Sequence, residues 1–239
     1  MSQPVIRRSP AQRAIVTAAV DLTPRMRRVT VQADTMRGVS IRPAQDVELL
    51  LREQSGRRVK RRYTIRYARP EAGELDLDVL LHGLGPGAHW GATAAPGDEV
   101  EFQGPRGKLE LRPAPEHVLV GDESALPAIA AICEALPESE RARAVIEVQD
   151  EADELPVAGE TTWVHRADAP PGGAELLTEA LRAVKIPAHA HAYLMGETRA
   201  MVALRAVLES RGVAHDAIFV KGYWNIGRPD RLAGRPPAG

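Results

Sequence analysis

The sequence predicts a two-domain chain in which a six-stranded antiparallel β-barrel is followed by an α/β domain built on a doubly wound parallel sheet. Three observations carry that prediction. Residues 1–112 hold six short segments of β-branched or alternating residues, separated by Gly, Pro and charge. Beyond Arg112-Pro113-Ala114-Pro115 the rhythm changes to short apolar runs alternating with helical patterns, which implies right-handed βαβ crossovers. The charge changes at the same place. Residues 1–112 carry 19 Lys+Arg against 13 Asp+Glu, a balance of +6, and residues 113–239 carry 12 against 19, a balance of −7. Domains are therefore expected at 1–112 and 116–239, joined by the proline-bearing segment.

In the first domain strands are expected at 14–20, 26–32, 46–51, 63–67, 75–81 and 99–102. Leu75 to Leu80 alternates apolar and acidic residues, the period of a sheet with one wet face. Pro96-Gly97-Asp98 and Gly104-Pro105-Arg106-Gly107 read as turns. In the second domain 117–120 reads as a buried parallel strand, and Gly121-Asp122-Glu123-Ser124 turns it into a helix with Ser124 as N-cap. Strands at 144–148 and 161–164, a helix at 174–184, a strand at 190–195, a helix at 198–210 and a strand at 217–220 complete it. Ligands on such sheets sit at the C-terminal strand ends, where Gly121-Asp122-Glu123 and Gly196-Glu197-Thr198 both fall. The tail 228–239, rich in Pro, Gly and Arg, is expected to be mobile.

With 239 residues and 44% of them apolar, the chain can supply a core to each domain. No run approaches the roughly 18 apolar residues of a membrane span, and Arg7 and Arg8 are not followed by the apolar stretch of a signal peptide. A cytoplasmic protein is expected. The single cysteine, Cys133, excludes an intrachain disulfide and an iron–sulfur cluster held by its own thiolates. It lies in the apolar helical run 128–133 and reads as a small core residue. No Cys/His spacing suits zinc, and no resident metal is expected. The basic first half favours an anionic ligand, but it is too weakly basic and too poor in interleaved aromatics for nucleic acid.

Arg61-Arg62-Tyr63-Thr64 opens a strand and is followed 18 residues later by His82-Gly83-Leu84-Gly85-Pro86-Gly87. Together they read as two walls of a flavin site. An arginine and a strand aromatic can hold a pyrophosphate and an isoalloxazine ring, and a Gly/Pro turn entering a short helix presents backbone N–H groups to phosphate. Taken singly, each also reads as a half-buried strand aromatic or an ordinary hairpin connection. Gly121-Asp122-Glu123 stands where nucleotide-binding folds place a glycine-rich phosphate loop, yet it is acidic and equally reads as a helix cap. Thr198 and Arg199, opening another helix, are better placed for a nucleotide phosphate, and His165-Arg166 reads either as a contact to the adenosine end or, more simply, as a solvated loop. Arg57, Arg58 and Lys60 read as a solvated hairpin.

Arg61-x-Tyr63-Thr64-x-Arg66, His82-Gly83-x-Gly85-Pro86-x-x-x-Trp90, Pro96-Gly97-Asp98, Gly104-Pro105-x-Gly107, Gly121-Asp122-Glu123-x-Ala125-Leu126-Pro127-Ala128-Ile129, Gly196-Glu197 and Gly222-Tyr223-Trp224 occur in that order. From about residue 10 to 230 the chain thereby resembles the siderophore-interacting proteins, flavin-dependent ferric-siderophore reductases of the ferredoxin-reductase-like superfamily. The resemblance implies an FAD held by Arg61, Tyr63 and Thr64, with Arg61 on the pyrophosphate and His82, Gly83, Gly85, Gly87, Ala88 and Trp90 forming the phosphate turn. It implies NADPH or NADH at Asp122, Glu123, Ala125, Thr198 and Arg199, and an anionic ferric siderophore facing Lys221, Arg66 and Arg106. Trp224 and Tyr223 lie near the flavin or pack the domain junction. The family's chemistry takes hydride from NAD(P)H and releases electrons singly to Fe(III), freeing Fe(II) in the cytoplasm.

Three positions depart from the family pattern. Ala88 stands where Ser or Thr is usual, beside His89 where Arg is frequent, and Asn225 stands where many members carry Arg, which leaves Arg228 as the nearest cation. The rival expectations are a reductase that passes electrons to a protein acceptor such as a ferredoxin or flavodoxin, and a siderophore-binding module without efficient reductase activity; a protein electron donor in place of the nucleotide is also open.

Overall fold

The computed structural model describes residues 10–53, 55–83 and 85–227. Six antiparallel strands close into a barrel: β1 (Gln12–Asp21), β2 (Met26–Gln32), β3 (Asp46–Arg52), β4 (Arg58–Arg69), β5 (Glu74–Leu80) and β6 (Glu99–Arg106), in the order β1-β2-β5-β4-β3-β6. Closure follows from side-chain alternation, which sends Val29, Val31, Val47, Leu49, Leu77, Val79 and Phe102 inward to one core. Helix α1 (Pro86–Thr93) lies between β5 and β6. Two segments differ most from the sequence expectation. The basic run 57–62 belongs largely to β4, where Arg61, Lys60 and Arg58 pair with Leu49, Leu50 and Arg52 of β3. Gly104-Pro105 lies inside β6, because Gly104 adopts φ +137 and brings its backbone to 3.1 Å, at the Cβ it lacks, from the carbonyl of Asp46.

The second domain is a five-stranded parallel sheet of β7 (Glu116–Asp122), β8 (Arg141–Val148), β9 (Glu160–His165), β10 (His191–Glu197) and β11 (Ile218–Trp224), in the order β11-β10-β7-β8-β9. The chain runs outward from β7 to β9, crosses back to β10 beside β7, and runs outward again, which puts a topological switch between the C-terminal ends of β7 and β10. Helices α2 (Leu126–Ala135), α3 (Glu175–Ala183) and α4 (Thr198–Ser210) cover it, while β8 reaches β9 through a short 3-10 turn at Glu151–Asp153. Ser124 does not cap α2. Its N–H and hydroxyl both donate to Asp122 Oδ1, and the helix starts after Ala125. Cys133 is buried in α2, and burial pushes its thiol up to about 12.

Helix α2 joins the two domains. Its apolar face shares a core with Met26 and Ala44 of the first domain. Polar ties flank that contact: Arg66 on β4 pairs with Glu134 on α2, Lys221 on β11 with Asp46 on β3, and Arg25 in the β1–β2 turn with Glu123. The tail from Arg228 lies outside the described residues. Among the described residues no helix is long and apolar enough to cross a membrane.

Candidate functional site

A cavity of about 530 Å³ opens between the barrel and the C-terminal strand ends of the sheet. Strand β4 supplies its floor with Arg61, Arg62, Tyr63 and Thr64. Tyr63 is half-buried against Trp90 of α1, ring centroids 5.9 Å apart, and burial pushes its phenol above the usual range. Gly87 is required by that packing. A Cβ there would run into the Tyr63 hydroxyl and come within 3.3 Å of Arg61 Cγ. Gly85 is the N-cap of α1 with no side-chain cap, so the first-turn N–H groups remain open beside Arg61. An open helix end, a guanidinium and a glycine turn suit a diphosphate, and an adjacent aromatic-lined recess suits an isoalloxazine, so these residues fit an FAD.

His82 and Ala88 also line the cavity, whereas Gly83 is exposed outside it and Trp90 supports Tyr63 from behind. Gly85, Gly87 and the R-x-Y-T residues are thus brought together as the sequence pairing expects. Ala88, 5% exposed, offers only its backbone.

The opposite wall is the crest of the parallel sheet, and its acidic groups are engaged within the protein. Asp122 Oδ2 accepts from the Glu197 N–H at 2.9 Å and from Trp224 Nε1 at 2.8 Å, which ties the ends of β7, β10 and β11 together. Glu123 accepts from Arg166 Nη2 at 3.1 Å through both oxygens and from the Gln149 N–H at 2.9 Å. Glu197, 1% exposed, caps α4 by accepting from the Ala200 N–H at 2.8 Å, and its other oxygen accepts from the Ile226 N–H. Thr198 donates to the Trp224 carbonyl at 3.0 Å, and Arg199 is exposed and does not line the cavity. Ala125 is fully buried beneath the turn. The helix end that Thr198 and Arg199 open is therefore already filled by a carboxylate. Glu147 at the end of β8 is buried beside Asp122, and burial and the Asp122 charge push it up to about 7.

Of the three basic residues expected to face a substrate, only Lys221 lines the cavity. Its ammonium donates to Asp46 Oδ2 at 2.9 Å and lies 5.0 Å from the Tyr223 ring centre. Arg66 is turned the other way by a bulge between Ile65 and Tyr67, and its guanidinium grips Glu134 at 2.7 and 2.5 Å over the Tyr67 ring. Arg106 donates to Glu48 at 3.2 and 2.8 Å. Burial opposes ionisation of Glu48, but hydrogen bonds from Arg106 and Lys60 hold it down at about 2. Asn225 lines the cavity beside Trp224, and Arg228 lies outside the described residues.

Sequence reasoning missed Asp46 and Arg25. Asp46 stands directly across from Thr64 in the β3–β4 register, a placement that no local signal announces. Arg25 reaches the crest only because the β1–β2 turn abuts the second domain, where it meets Glu123 and Gln149. Among the described residues no cluster of His, Cys, Asp and Glu has the arrangement of a metal site.

Residues 51–109 match the model of the siderophore-interacting FAD-binding domain, and residues 114–227 match that of the siderophore-interacting protein. The chain is 39% identical over 189 residues to an uncharacterized protein of Mycobacterium tuberculosis, covering 72% of this chain and 67% of the relative. It is 33% identical over 178 residues to the ferric vibriobactin reductase ViuB of Vibrio cholerae, covering 71% of this chain and 66% of that protein. Among solved structures, a siderophore utilization protein from T. fusca superposes with a TM-score of 0.85 at 32% identity, over 94% of this chain and 96% of that one. The ferredoxin reductase of carbazole 1,9a-dioxygenase, at 18% identity and a TM-score of 0.73 over 92% of this chain and 70% of that one, shares the fold.

Proposed function

The chain belongs to the siderophore-interacting protein family, and from that premise we propose that it is an FAD-dependent reductase of ferric siderophores, driven by NADPH or NADH and releasing Fe(II) in the cytoplasm. The observation that carries this reading is the meeting, in one cavity, of Arg61, Tyr63 and Thr64 and the open end of α1 with the closing segment 222–225. A flavin bound there supplies two-electron uptake and one-electron release to Fe(III), whose hard oxygen ligands hold Fe(II) less tightly. Arg61 and the first-turn N–H groups of α1 neutralise the diphosphate. Tyr63 and Thr64 seat the ring, and Tyr223 and Trp224 limit water at its edge. The chain needs no general acid or base at the iron, because orientation and charge are what it contributes. The doubly wound domain is the argument for a reduced nicotinamide as donor. A reduced protein carrier is the second reading, and it is favoured by the carboxylates of Asp122 and Glu197 that fill the crest.

An anaerobic absorbance titration tests both. NADH or NADPH is added to the FAD-loaded protein, then a ferric siderophore. Bleaching by the nucleotide followed by reoxidation with the chelate is expected. A flavin that neither nucleotide bleaches, but that a chemical reductant and then a ferric siderophore cycle, would move the donor to a protein. A protein that takes up no FAD would overturn the reading.

A further inference from the structure

The geometry points to a ferric chelate of low or positive charge, of the tris-hydroxamate kind, and away from a polyanionic tris-catecholate. This inference rests on the reading of the cavity as a ferric-siderophore site and adds its charge selectivity. It departs from the anionic substrate that the basic balance of the first half suggests, because that balance does not reach the cavity. Arg66 and Arg106 are spent on Glu134 and Glu48. Arg62, which does line the cavity, has Glu48 at 3.6 Å from its Nε.

Lys221 is the remaining candidate, and Asp46 holds it. The carboxylate is buried opposite Thr64, its Oδ2 accepts from Lys221 at 2.9 Å, and its Oδ1 has no hydrogen-bond partner. An ammonium that swung toward an anionic chelate would strand a buried carboxylate, a penalty that offsets the attraction. The pair therefore presents a neutral wall beside the ring-seating residues. The cavity as a whole is lined by five Lys and Arg against four Asp and Glu. The dianionic diphosphate of a bound FAD turns that near balance negative, and a polyanionic chelate would meet repulsion where a neutral or cationic one meets none.

A charge series on one iron centre tests this without changing the reduction potential: ferrioxamine B, cationic through its terminal ammonium, with its neutral N-acetyl and anionic N-succinyl derivatives. Affinity for the oxidised, FAD-loaded protein is read from fluorescence quenching. The cationic and neutral forms should bind at least about tenfold more tightly than the anionic one. Raising the salt should narrow that gap in the unmodified protein. In Asp46→Asn, which releases Lys221, the anionic form should gain about tenfold relative to the cationic one. Equal affinities across the series, or tighter binding of the anion to the unmodified protein, would overturn the charge selectivity alone. If none of the three binds while FAD is retained, the siderophore reading itself fails and this inference with it.

Discussion

At the scale of single residues, close approaches and carboxylate ties decide the site. Gly87 lets the Tyr63 hydroxyl and the Arg61 stem pack against α1, so Gly87→Ala must displace both. Overpacking of that kind costs about 1–3 kcal/mol, and FAD affinity should fall roughly tenfold to a hundredfold, measured by flavin fluorescence titration with the circular dichroism spectrum unchanged. Trp224 donates its indole N–H to Asp122. Trp224→Phe keeps an aromatic ring and removes the donor, and a hydrogen bond to a charged group predicts a loss of roughly 1.5–3 kcal/mol in urea unfolding. An unchanged midpoint would mean that Asp122 is satisfied by its other donors alone. The R-x-Y-T and glycine motifs were legible because each is a local pattern of residue types, and the fold brings both to one cavity. Asp46 was not legible, since an aspartate at the start of a strand looks like any solvated turn residue until its partner strand is in register.

At the scale of elements, the crest formed by the ends of β7, β8 and β10 carries the pH dependence. Glu147 lies at about 7 in the folded chain against 4.5 ordinarily, through burial and the neighbouring Asp122 charge. Its folded value is raised, so its contribution to stability is fully present below about 4.5, declines as pH rises through about 7, and is flat above that. Glu147→Gln should remove this slope, stabilising the protein by roughly 1–3 kcal/mol at about pH 8 and little at about pH 5, as read by urea unfolding. Equal gains at both pH values would show that the carboxylate ionises freely. The elements themselves were visible in the sequence because hydrophobic periods of two and 3.6 are local properties. The exceptions have physical causes: Gly104, through its positive φ, lets β6 continue where the Gly-Pro-Arg-Gly run suggests a turn, and Asp122 takes the hydroxyl of Ser124 away from helix capping.

At the scale of the whole molecule, the shared core of α2 with Met26 and Ala44, together with the Arg66–Glu134, Lys221–Asp46 and Arg25–Glu123 pairs, ties the domains into one cooperative body. Calorimetry should give a single transition whose van't Hoff and calorimetric enthalpies agree. Two resolved transitions would show that the domains unfold independently and that these ties are weak. The barrel, the parallel sheet with its helices and the pairing of the R-x-Y-T strand with the Gly85–Gly87 turn were legible from the residues, because periodicity, turn chemistry and short motifs act over a few positions. Tertiary structure alone decided the electrostatic character of the cavity. Lys221 meets Asp46 across 175 positions of chain, and a bulge turns Arg66 toward α2. Charge pairing depends on which strand ends are brought together, and that is settled only when the barrel has closed and the barrel and the parallel sheet have packed on one helix.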